Sequence, residues 1–381
     1  MRLDELCHEI VDCEHKTAPI SVGGGYFAVG TPAMVGNVIS FSAAREISEK
    51  TFEAWTKRLR PQAGDLLLAR EAPVGPVVVI PESLNVAPGQ RTVLLRPNPE
   101  LVHSLYLFYV LVSPRTQRRI TDLSLGSTVA HLNVADVRSL ELMLPPLREQ
   151  QAIAEVLGAL DDKIAVNAKI AETADELVRA MFSSLDNQGT IPLGSLCASI
   201  RDQVTPMRGV PYVGLEHVPR RHMWLSGYGD AGSVASAKVQ FNPGDVLFGK
   251  LRPYFHKVVS APVSGVASTD ILVLRALDSS LAGFLLAAAS SDAVVAACSA
   301  ASAGTRMPRT KWADVSSCEI AWPGAAAASE MSRSVDALKE VVNALIRESR
   351  TLAELRDTLL PALMDGTIRV KDAVAAAEEV L

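Results

Sequence analysis

A glycine-lysine motif at residues 244–250, Gly-Asp-Val-Leu-Phe-Gly-Lys, has the spacing G-x-x-x-x-G-K that opens a phosphate-binding loop. Such a loop needs flexible residues whose N–H groups surround an anion, followed by Ser or Thr for a metal ion. Residues 245–248 instead have the composition of a strand, and Leu251 occupies the position of the hydroxyl. The motif therefore favours a turn followed by a strand over a nucleotide site.

The same motif has a second copy at residues 64–70, Gly-Asp-Leu-Leu-Leu-Ala-Arg, 180 positions earlier. The two copies share a Gly-Asp turn, an apolar strand and then a cation, Arg70 or Lys250. A duplicated cation at the end of a strand suits a repeated anion contact, such as a DNA phosphate or a guanine edge. A solvated strand end is the alternative.

Other catalytic and metal-binding patterns are weak. Glu14 and Lys16 match the E-x-K half of a nuclease site, but no Pro-Asp precedes them on a strand. A zinc site built from nearby cysteines and histidines has no counterpart in the second copy, where Cys197 stands alone, and its spacing is unlike a ribbon or finger. Its residues would be Cys7, His8, Cys13 and His15. We expect no catalytic residue and no metal site, which favours a binding protein over an enzyme.

Charge is distributed unevenly along the 381 residues. The total is −5, yet residues 190–322 carry +3 while 145–189 and 323–381 carry −4 and −3. An acidic total therefore does not exclude a local basic surface of the kind that binds nucleic acid.

Hydrophobic residues make up 48% of the chain, enough to bury a large core. The most apolar stretch, residues 281–298, contains Ser290, Ser291 and Asp292, which predicts an Ala-rich buried helix and not a membrane span. The first residues are charged where a signal peptide needs an apolar run. Five scattered cysteines without C-x-x-C indicate no disulfides. We expect a cytoplasmic protein with no membrane partner.

An internal repeat organises the chain. Residues 126–146 align with 304–324 at an offset of 178, and Ala-Asp-Val at 135–137 meets Ala-Asp-Val at 313–315. Each copy begins with a mixed pattern of strands between Gly and Pro turns, followed by an apolar helix. In the first copy we predict strands at 65–69, 77–80 and 92–95 and a helix at 101–112. In the second copy we predict a single helix at about 281–297.

A long helix ends each copy. A series of positions spaced alternately four and three apart, apolar except for Asn167, runs from Ile153 to Met181, and a second series runs from Met331 to Leu359. The second series is interrupted by Ser349 and Arg356. About 35 helical residues span roughly 50 Å, and such a seam cannot be buried by one helix alone. The two helices are expected to pair; the alternative is that each packs on its own globular part.

The segment "LPPLREQQAIAEVLGALDDKIAVNAKI" (144–170) resembles the conserved region that follows each target-recognition domain in specificity subunits of Type I restriction-modification systems. The segment "LAELRDTLLPALMDGTIRV" (352–370) resembles the second conserved region of that family. Segments "YVGLEHV" (212–218) and "GDVLFGKLRPYFHKV" (244–258) resemble one class of its recognition domains. The resemblance covers nearly the whole chain in the family's order of domains.

This resemblance implies an α+β fold with two pseudo-two-fold-related mixed α/β target-recognition domains separated by a pair of long antiparallel coiled-coil helices. The implied divisions are a first recognition domain at 1–144, a first conserved helix at 145–189, a second recognition domain at 190–322, and a second conserved helix with a C-terminal tail at 323–381.

The implied function is that of a non-catalytic, sequence-specific DNA-recognition subunit of a Type I restriction-modification complex. Each recognition domain would read one half of a bipartite site in double-stranded DNA, and the helices would fix the spacer between the halves. The chain would dock methyltransferase subunits and a restriction subunit. It would bind no cofactor itself, because S-adenosylmethionine belongs to the adenine methyltransferase. A coiled-coil protein scaffold and a subunit of a related phage-defence methylation system are the alternatives.

Candidate DNA contacts are polar residues beside Gly or Pro on segments repeated in both copies. Arg306 and Arg309 suit guanine, while Ser127 and Thr305 suit phosphate. The first copy contributes Arg70, Ser127, Thr128, His131 and Asn133, and the second Lys250, Arg252, Tyr254, Thr305, Arg306, Arg309 and Lys311.

Candidate partner contacts lie at the start of the first long helix: Pro145, Pro146, Glu149 and Gln150. Helix initiation alone also explains these residues, because Pro is tolerated early in a helix and Glu is favourable in the first turn. The second copy lacks the Pro-Pro and Glu-Gln pairs and has Trp322-Pro-Gly-Ala instead. Partner docking is therefore expected to differ between the copies.

Overall fold

The computed structural model describes residues 1–82, 85–124, 130–302 and 307–380, and the chain divides into two compact units. Unit 1 comprises Met1–Lys163 and Thr351–Leu381, and unit 2 comprises Ile164–Arg350. The sequence predicted four consecutive segments, with each long helix as a segment of its own. The structure adds that each compact unit contains part of both long helices.

Unit 1 is built from short strands and helices followed by a long helix. Its strands are β1 (Cys7–Asp12), β2 (Tyr26–Val29), β3 (Met34–Val35), β4 (Val38–Ile39), β5 (Arg45–Ile47), β6 (Leu66–Arg70), β7 (Val74–Val79), β8 (Asn85–Pro88) and β9 (Thr92–Pro97). Its helices are α1 (Leu3–Leu6), α2 (Glu49–Trp55), α3 (Ser104–Val112), α4 (Pro114–Ser124), α5 (Val134–Ser139) and the beginning of α6 (Leu147–Ser183).

The principal sheet of unit 1 is antiparallel with strand order β1-β9-β6-β7. Its central strands are apolar on both faces, and Leu66, Leu67, Leu94 and Leu95 are fully buried. A second sheet has the order β5-β2-β8, and β3 pairs with β4. The strands predicted at 65–69, 77–80 and 92–95 are confirmed as β6, β7 and β9 within a few residues.

Unit 2 repeats this plan. Its strands are β10 (Thr190–Pro192), β11 (Cys197–Ile200), β12 (Gln203–Val204), β13 (Pro211–Val213), β14 (Gly229–Asp230), β15 (Lys238–Phe241), β16 (Val246–Gly249), β17 (Val258–Ser260), β18 (Gly265–Ala267), β19 (Ile271–Ala276) and β20 (Glu319–Ala321). Its helices are α7 (Ala282–Ala289), α8 (Asp292–Ala301) and α9 (Trp312–Ser316), together with parts of α6 and of α10 (Ala325–Met364). A last helix, α11 (Val370–Glu378), belongs to unit 1.

The principal sheet of unit 2 has the order β11-β19-β16-β17, which is the order of unit 1 with each strand replaced by its repeat partner. A larger mixed sheet has the order β12-β15-β18-β13-β14, and β10 pairs with β20. The internal repeat in the sequence is therefore a repeat of sheet topology.

The Gly-Asp turn has the same structure in both units. Gly64 and Gly244 have φ values of +84° and +87°, a left-handed backbone that favours glycine. The following Asp65 and Asp245 are buried, and each accepts a hydrogen bond from the main-chain N–H three residues earlier, at 2.9 Å and 2.8 Å. The motif at 244–250 is thus a turn and a strand, as its composition predicts.

Each buried aspartate also binds an arginine on the adjacent strand. Two nitrogens of Arg96 bond the two oxygens of Asp65 at 3.1 Å and 2.7 Å. In unit 2, Arg275 bonds Asp245 in the same way at 2.8 Å and 2.7 Å. These hydrogen bonds raise the pKa of both arginines. The shared aspartate therefore fastens the turn to the sheet in each copy.

The single helix predicted at about 281–297 is wrong, because the chain breaks into α7 and α8 with a bend of 65°. Ser291 caps α8 by accepting a hydrogen bond from the Val294 N–H at 3.3 Å. The repeat partner Ser113 makes the same bond with the Thr116 N–H, at 3.5 Å, where α3 gives way to α4. Among the described residues no single helix is long and apolar enough to cross a membrane; α7 and α8 together pass by length and composition, and both pack into the core of unit 2.

The two long helices pair within each unit. In unit 1, Asp161 of α6 binds Arg356 of α10 at 2.6 Å, and in unit 2, Asn167 of α6 binds Glu348 of α10 at 2.7 Å. From the first contact to the second, the residue number rises in α6 and falls in α10, so the two helices run antiparallel. Seam positions of α6 such as Leu157 and Val178 are fully buried, which confirms the heptad pattern.

Candidate nucleic-acid interface

In unit 2, three chain segments meet at the end of β16. The Lys250 N–H donates to the Asp270 carbonyl at 2.8 Å, and the Thr310 N–H donates to the Lys250 carbonyl at 3.1 Å. Leu251 and Arg309 form an antiparallel bridge. The end of β16, Asp270 before β19 and residues 309–310 are therefore held together by main-chain bonds. The structure thus brings together Lys250 and Arg309, two residues that the sequence nominated separately.

The charges at this junction form what we term the unit 2 cluster: Arg201, Lys250, Asp270 and Arg309. Arg309 Nε lies 3.2 Å from Asp270 Oδ1, and Lys250 Nζ donates to the Thr269 carbonyl at 2.5 Å. Burial lowers the pKa of Lys250, and the positive charges of Arg309 and Arg201 lower it further while Asp270 opposes them. A partly desolvated lysine among arginines is a favourable place for an anion.

Two further candidates lie on the turn that follows. Arg252 has a left-handed backbone (φ +50°), and its N–H donates to the Pro308 carbonyl at 2.8 Å. Tyr254 is 54% exposed, and its ring centroid lies 4.8 Å from that of Phe255. Arg220, which the sequence did not nominate, stacks over Phe255 at 3.9 Å. This exposed aromatic and basic surface suits stacking and phosphate contacts.

Lys311 is exposed at the start of α9, where its N–H donates to Asp314 at 2.7 Å. Its repeat partner Asn133 is exposed at the start of α5, and its Nδ2 donates to Asp136 Oδ2 at 3.1 Å. DNA contact by Lys311 and Asn133 stays a prediction that these exposed positions permit.

In unit 1 the same three segments meet at the end of β6. The Arg70 N–H donates to the Arg91 carbonyl and the Leu132 N–H donates to the Arg70 carbonyl, both at 2.9 Å. Glu71 and His131 form an antiparallel bridge. We term Glu71, Arg91 and His131 the unit 1 cluster. Glu71 lies 3.3 Å from Arg91 Nε and 3.5 Å from His131 Nδ1.

Arg70 itself is only 3% exposed. Its Nη2 binds Asp12 of β1 at 2.7 Å, and its Nη1 donates to the Leu132 carbonyl at 3.0 Å. This burial weighs against the predicted DNA contact, because the guanidinium is committed to groups inside the unit. We assign Arg70 to holding the 130–132 segment against β1 and β6.

Four predicted DNA contacts, Ser127, Thr128, Thr305 and Arg306, lie outside the described residues. Five charged residues lie beside the candidate contacts but were not singled out from the sequence: Glu71, Arg91, Arg201, Arg220 and Asp270. The repeat contains a signal for two of them, because Arg91 and Asp270 each precede the strand that pairs with the Gly-Asp strand, at an offset of 179.

The predicted partner contacts at the start of α6 differ in exposure. Gln150 is 1% exposed; its Oε1 accepts from the His103 N–H at 3.0 Å, and its Nε2 donates to the Pro145 carbonyl at 2.9 Å. These bonds tie the start of α6 to the segment before α3, so burial weighs against direct partner contact by Gln150. Pro145 is half-buried, whereas Pro146 and Glu149 are exposed and remain candidates.

All five cysteines are free and buried. Burial raises the pKa of Cys7 and of its repeat partner Cys197 to about 12 each, so neither thiol is prepared to act as a nucleophile. Within the described ranges no group of three or more His, Cys, Asp and Glu side chains is placed to hold a metal ion.

Comparison with known proteins finds a family model that matches the first part of the chain. Residues 4–175 match the family model of the Type I restriction modification DNA specificity domain. These residues include the principal sheet of unit 1, the unit 1 cluster and most of α6.

Individual relatives carry similar names. The chain is 30% identical over 140 residues to the Type I restriction enzyme MjaIX specificity subunit of Methanocaldococcus jannaschii, a match covering 37% of this chain and 32% of that protein. It is 24% identical over 313 residues to the EcoDI specificity subunit of Escherichia coli, covering 68% and 69%. The first of these matches spans only about a third of the relative.

Among solved structures, the S subunit of a Type I restriction-modification system from M. genitalium matches with a TM-score of 0.58 at 16% identity, covering 95% of both chains. At that identity the match shows the fold alone. This chain therefore shares its architecture of mixed sheets, helices and a long helix with a known S subunit. The match of residues 4–175 to that family model, together with these relatives, confirms the resemblance of this chain to Type I restriction enzyme specificity subunits.

Proposed function

We propose that this chain is the sequence-specific DNA-recognition subunit of a Type I restriction-modification complex. Each unit would read one half of a bipartite site in double-stranded DNA. The subunit itself would catalyse no reaction. It would carry adenine methyltransferase subunits, which hold S-adenosylmethionine, and a restriction subunit.

One observation carries the proposal: both units place a partly exposed arginine beside a carboxylate at the corresponding strand end of sheets that have the same strand order. Arg309 is 55% exposed in unit 2, and Arg91 is 43% exposed in unit 1. Arginine is the side chain that pairs best with the guanine edge, and cations at such a point also neutralise phosphates. Two equivalent clusters in one chain fit two half-sites.

The partner role is supported by the exposed Pro146 and Glu149, which lie at the start of α6 within the segment that resembles the family's conserved region. Buried Gln150 fixes the position of this start through three hydrogen bonds to residues 101, 103 and 145. A fixed helix start with exposed side chains is suited to docking a partner protein. The second copy lacks the equivalent residues, so docking is proposed at the first helix start only.

The proposal is tested by mapping N6-methyladenine across the host genome with and without this gene, with the neighbouring methyltransferase gene left in place. We expect a bipartite motif with a fixed gap that loses methylation in the deletion strain. A methylation map that is identical in both strains contradicts the proposal and favours a protein scaffold.

A further inference from the structure

The two clusters hold the same kinds of charge on different chain segments. Main-chain bonds make residues 71, 91 and 131 of unit 1 equivalent to residues 251, 270 and 309 of unit 2. In unit 1 the carboxylate is on the strand-end segment, as Glu71, and the cation Arg91 precedes the neighbouring strand. In unit 2 the strand end carries Leu251, and the carboxylate Asp270 stands where unit 1 has Arg91.

The two clusters share one feature although their residues differ. Each cluster keeps one carboxylate within 3.5 Å of a cation, although all three positions have changed residue type. The carboxylates are also alike in exposure, 30% for Glu71 and 33% for Asp270. Both units therefore present a carboxylate to solvent beside an exposed arginine.

These ion pairs differ from those that hold the sheets. Asp65 and Asp245 are 4% and 3% exposed and bind their arginines at 2.7 Å, whereas Arg91–Glu71 and Arg309–Asp270 are 3.3 Å and 3.2 Å apart with all partners at least 30% exposed. Exposed, longer pairs contribute little to stability. Their partners are consequently free to exchange each other for groups on a ligand.

We propose that Glu71 and Asp270 are specificity-determining residues, each for one half-site; this inference rests on the proposed function. On the correct half-site the carboxylate accepts a hydrogen bond from the exocyclic amino group of cytosine or adenine, and the arginine it releases meets guanine or phosphate. On a half-site that places an acceptor such as guanine O6 or thymine O4 at this point, the carboxylate finds no donor and is repelled. Its main effect is therefore to exclude wrong sequences.

The test compares two neutral variants, Glu71→Gln and Asp270→Asn, with matched controls, Glu141→Gln and Glu319→Gln. The controls are exposed residues at equivalent positions of the two copies, one in each unit, and they make the same change of charge. All four variants and the wild-type gene are expressed in the deletion strain, and N6-methyladenine is mapped across the genome.

We expect Glu71→Gln to raise methylation roughly tenfold at genomic sites that differ from the motif by one base pair in one half, because a good base contact discriminates by about that factor or more. Asp270→Asn should relax the other half, and both controls should keep the wild-type motif. Melting temperatures of the purified chains within about 2 °C of wild type would confirm that the variants are folded.

The inference is overturned if both variants keep the wild-type motif, relax the same half, or lose methylation entirely while melting normally. A relaxation that the control in the same unit reproduces also overturns it, since net charge alone would then explain the effect. Failure of the proposed function is recognised separately, because then the wild-type gene itself restores no motif to the deletion strain.

Discussion

At the scale of residues, two of the groups of ion pairs in this protein have different consequences. The pairs of Asp65 and Asp245 are buried and repeated without change, so they belong to the framework of each sheet. The pairs around Glu71 and Asp270 are exposed and differ in which segment carries which sign. DNA recognition is expected to depend on the second group, because only exposed side chains can exchange an internal partner for one on a ligand.

A third kind of pair joins α6 to the loops of unit 2. Asp175 is buried, and its two oxygens bind His222 Nδ1 at 2.7 Å and the Met223 N–H at 2.8 Å. The hydrogen bond to Asp175 raises the pKa of His222, with Asp175 and Glu172 adding favourable charge while burial and Arg179 oppose. Folding therefore favours the protonated form of His222 relative to the unfolded chain.

We therefore predict a pH-dependent contribution of His222 to stability. A raised pKa in the folded state means that the contribution is fully present below the ordinary histidine pKa of about 6.5 and is lost as pH rises through the folded value. The difference in melting temperature between wild type and His222→Gln should be larger at pH 5.5 than at pH 9. The variant His8→Gln, at an exposed position, is the control for replacing a histidine with glutamine.

Residue roles at the interface were only partly predictable from the sequence. Lys250 and Arg309 were nominated because they recur beside glycines, and the fold does bring them together. Arg70 was nominated on the same ground, yet Asp12, 58 positions away, buries it in an ion pair. Nothing local to residue 70 reveals that partner, because the contact depends on the pairing of β1 with β9 and of β9 with β6.

At the scale of elements, the seam of the long helices is interrupted by polar pairs. Ser349 and Arg356 break the apolar pattern in α10, and the structure shows a partner for each on α6. Asn167, 2% exposed, donates to Ser349 at 3.2 Å, and Asp161 binds Arg356. Polar residues within a seam specify register at a cost in stability, so these positions align the two helices.

We predict that Arg356→Ala lowers the free energy of unfolding by about 1–2 kcal/mol, because it leaves a partly buried Asp161 without its cation. Asp161 also accepts a hydrogen bond from Tyr109 at 2.6 Å, so the loss reaches α3 of unit 1. Urea unfolding of Arg356→Ala, Asp161→Ala and the double variant measures the coupling between the two residues. Additive single effects would show that the pair does not interact.

The elements themselves were largely predictable where a pattern repeats over many residues. The seam of α6 is sustained for nine positions, and helix and pairing are both confirmed. The prediction of one helix at 281–297 failed because Ala-rich sequence on both sides of Ser290, Ser291 and Asp292 favours helix throughout. The break depends on the cap made by Ser291, and these three polar residues are also compatible with a continuous helix.

At the scale of the whole molecule, both long helices continue from one compact unit into the other. The boundary falls between Lys163 and Ile164 in α6 and between Arg350 and Thr351 in α10. No loop interrupts either helix at these points. We propose that this uninterrupted pair sets the spacer between the two half-sites.

We predict that adding seven residues to each helix at these boundaries lengthens the spacer of the recognised motif by about three base pairs. Seven helical residues add about 10 Å and keep the seam in phase, and one base pair of duplex rises 3.4 Å. The spacer is measured from the methylation motif of the altered gene. An unchanged spacer with retained methylation would exclude the helices as the ruler.

Because unit 1 contains segments from both ends of the chain, it can be completed only after unit 2 has been synthesised. Unit 1 needs residues 351–381, among which Leu359, Leu363 and Ala373 are buried, whereas unit 2 lies wholly within 164–350. Domains generally fold as the ribosome releases them. Unit 1, whose synthesis begins first, therefore keeps part of its apolar surface uncovered until unit 2 and residues 351–381 have been synthesised.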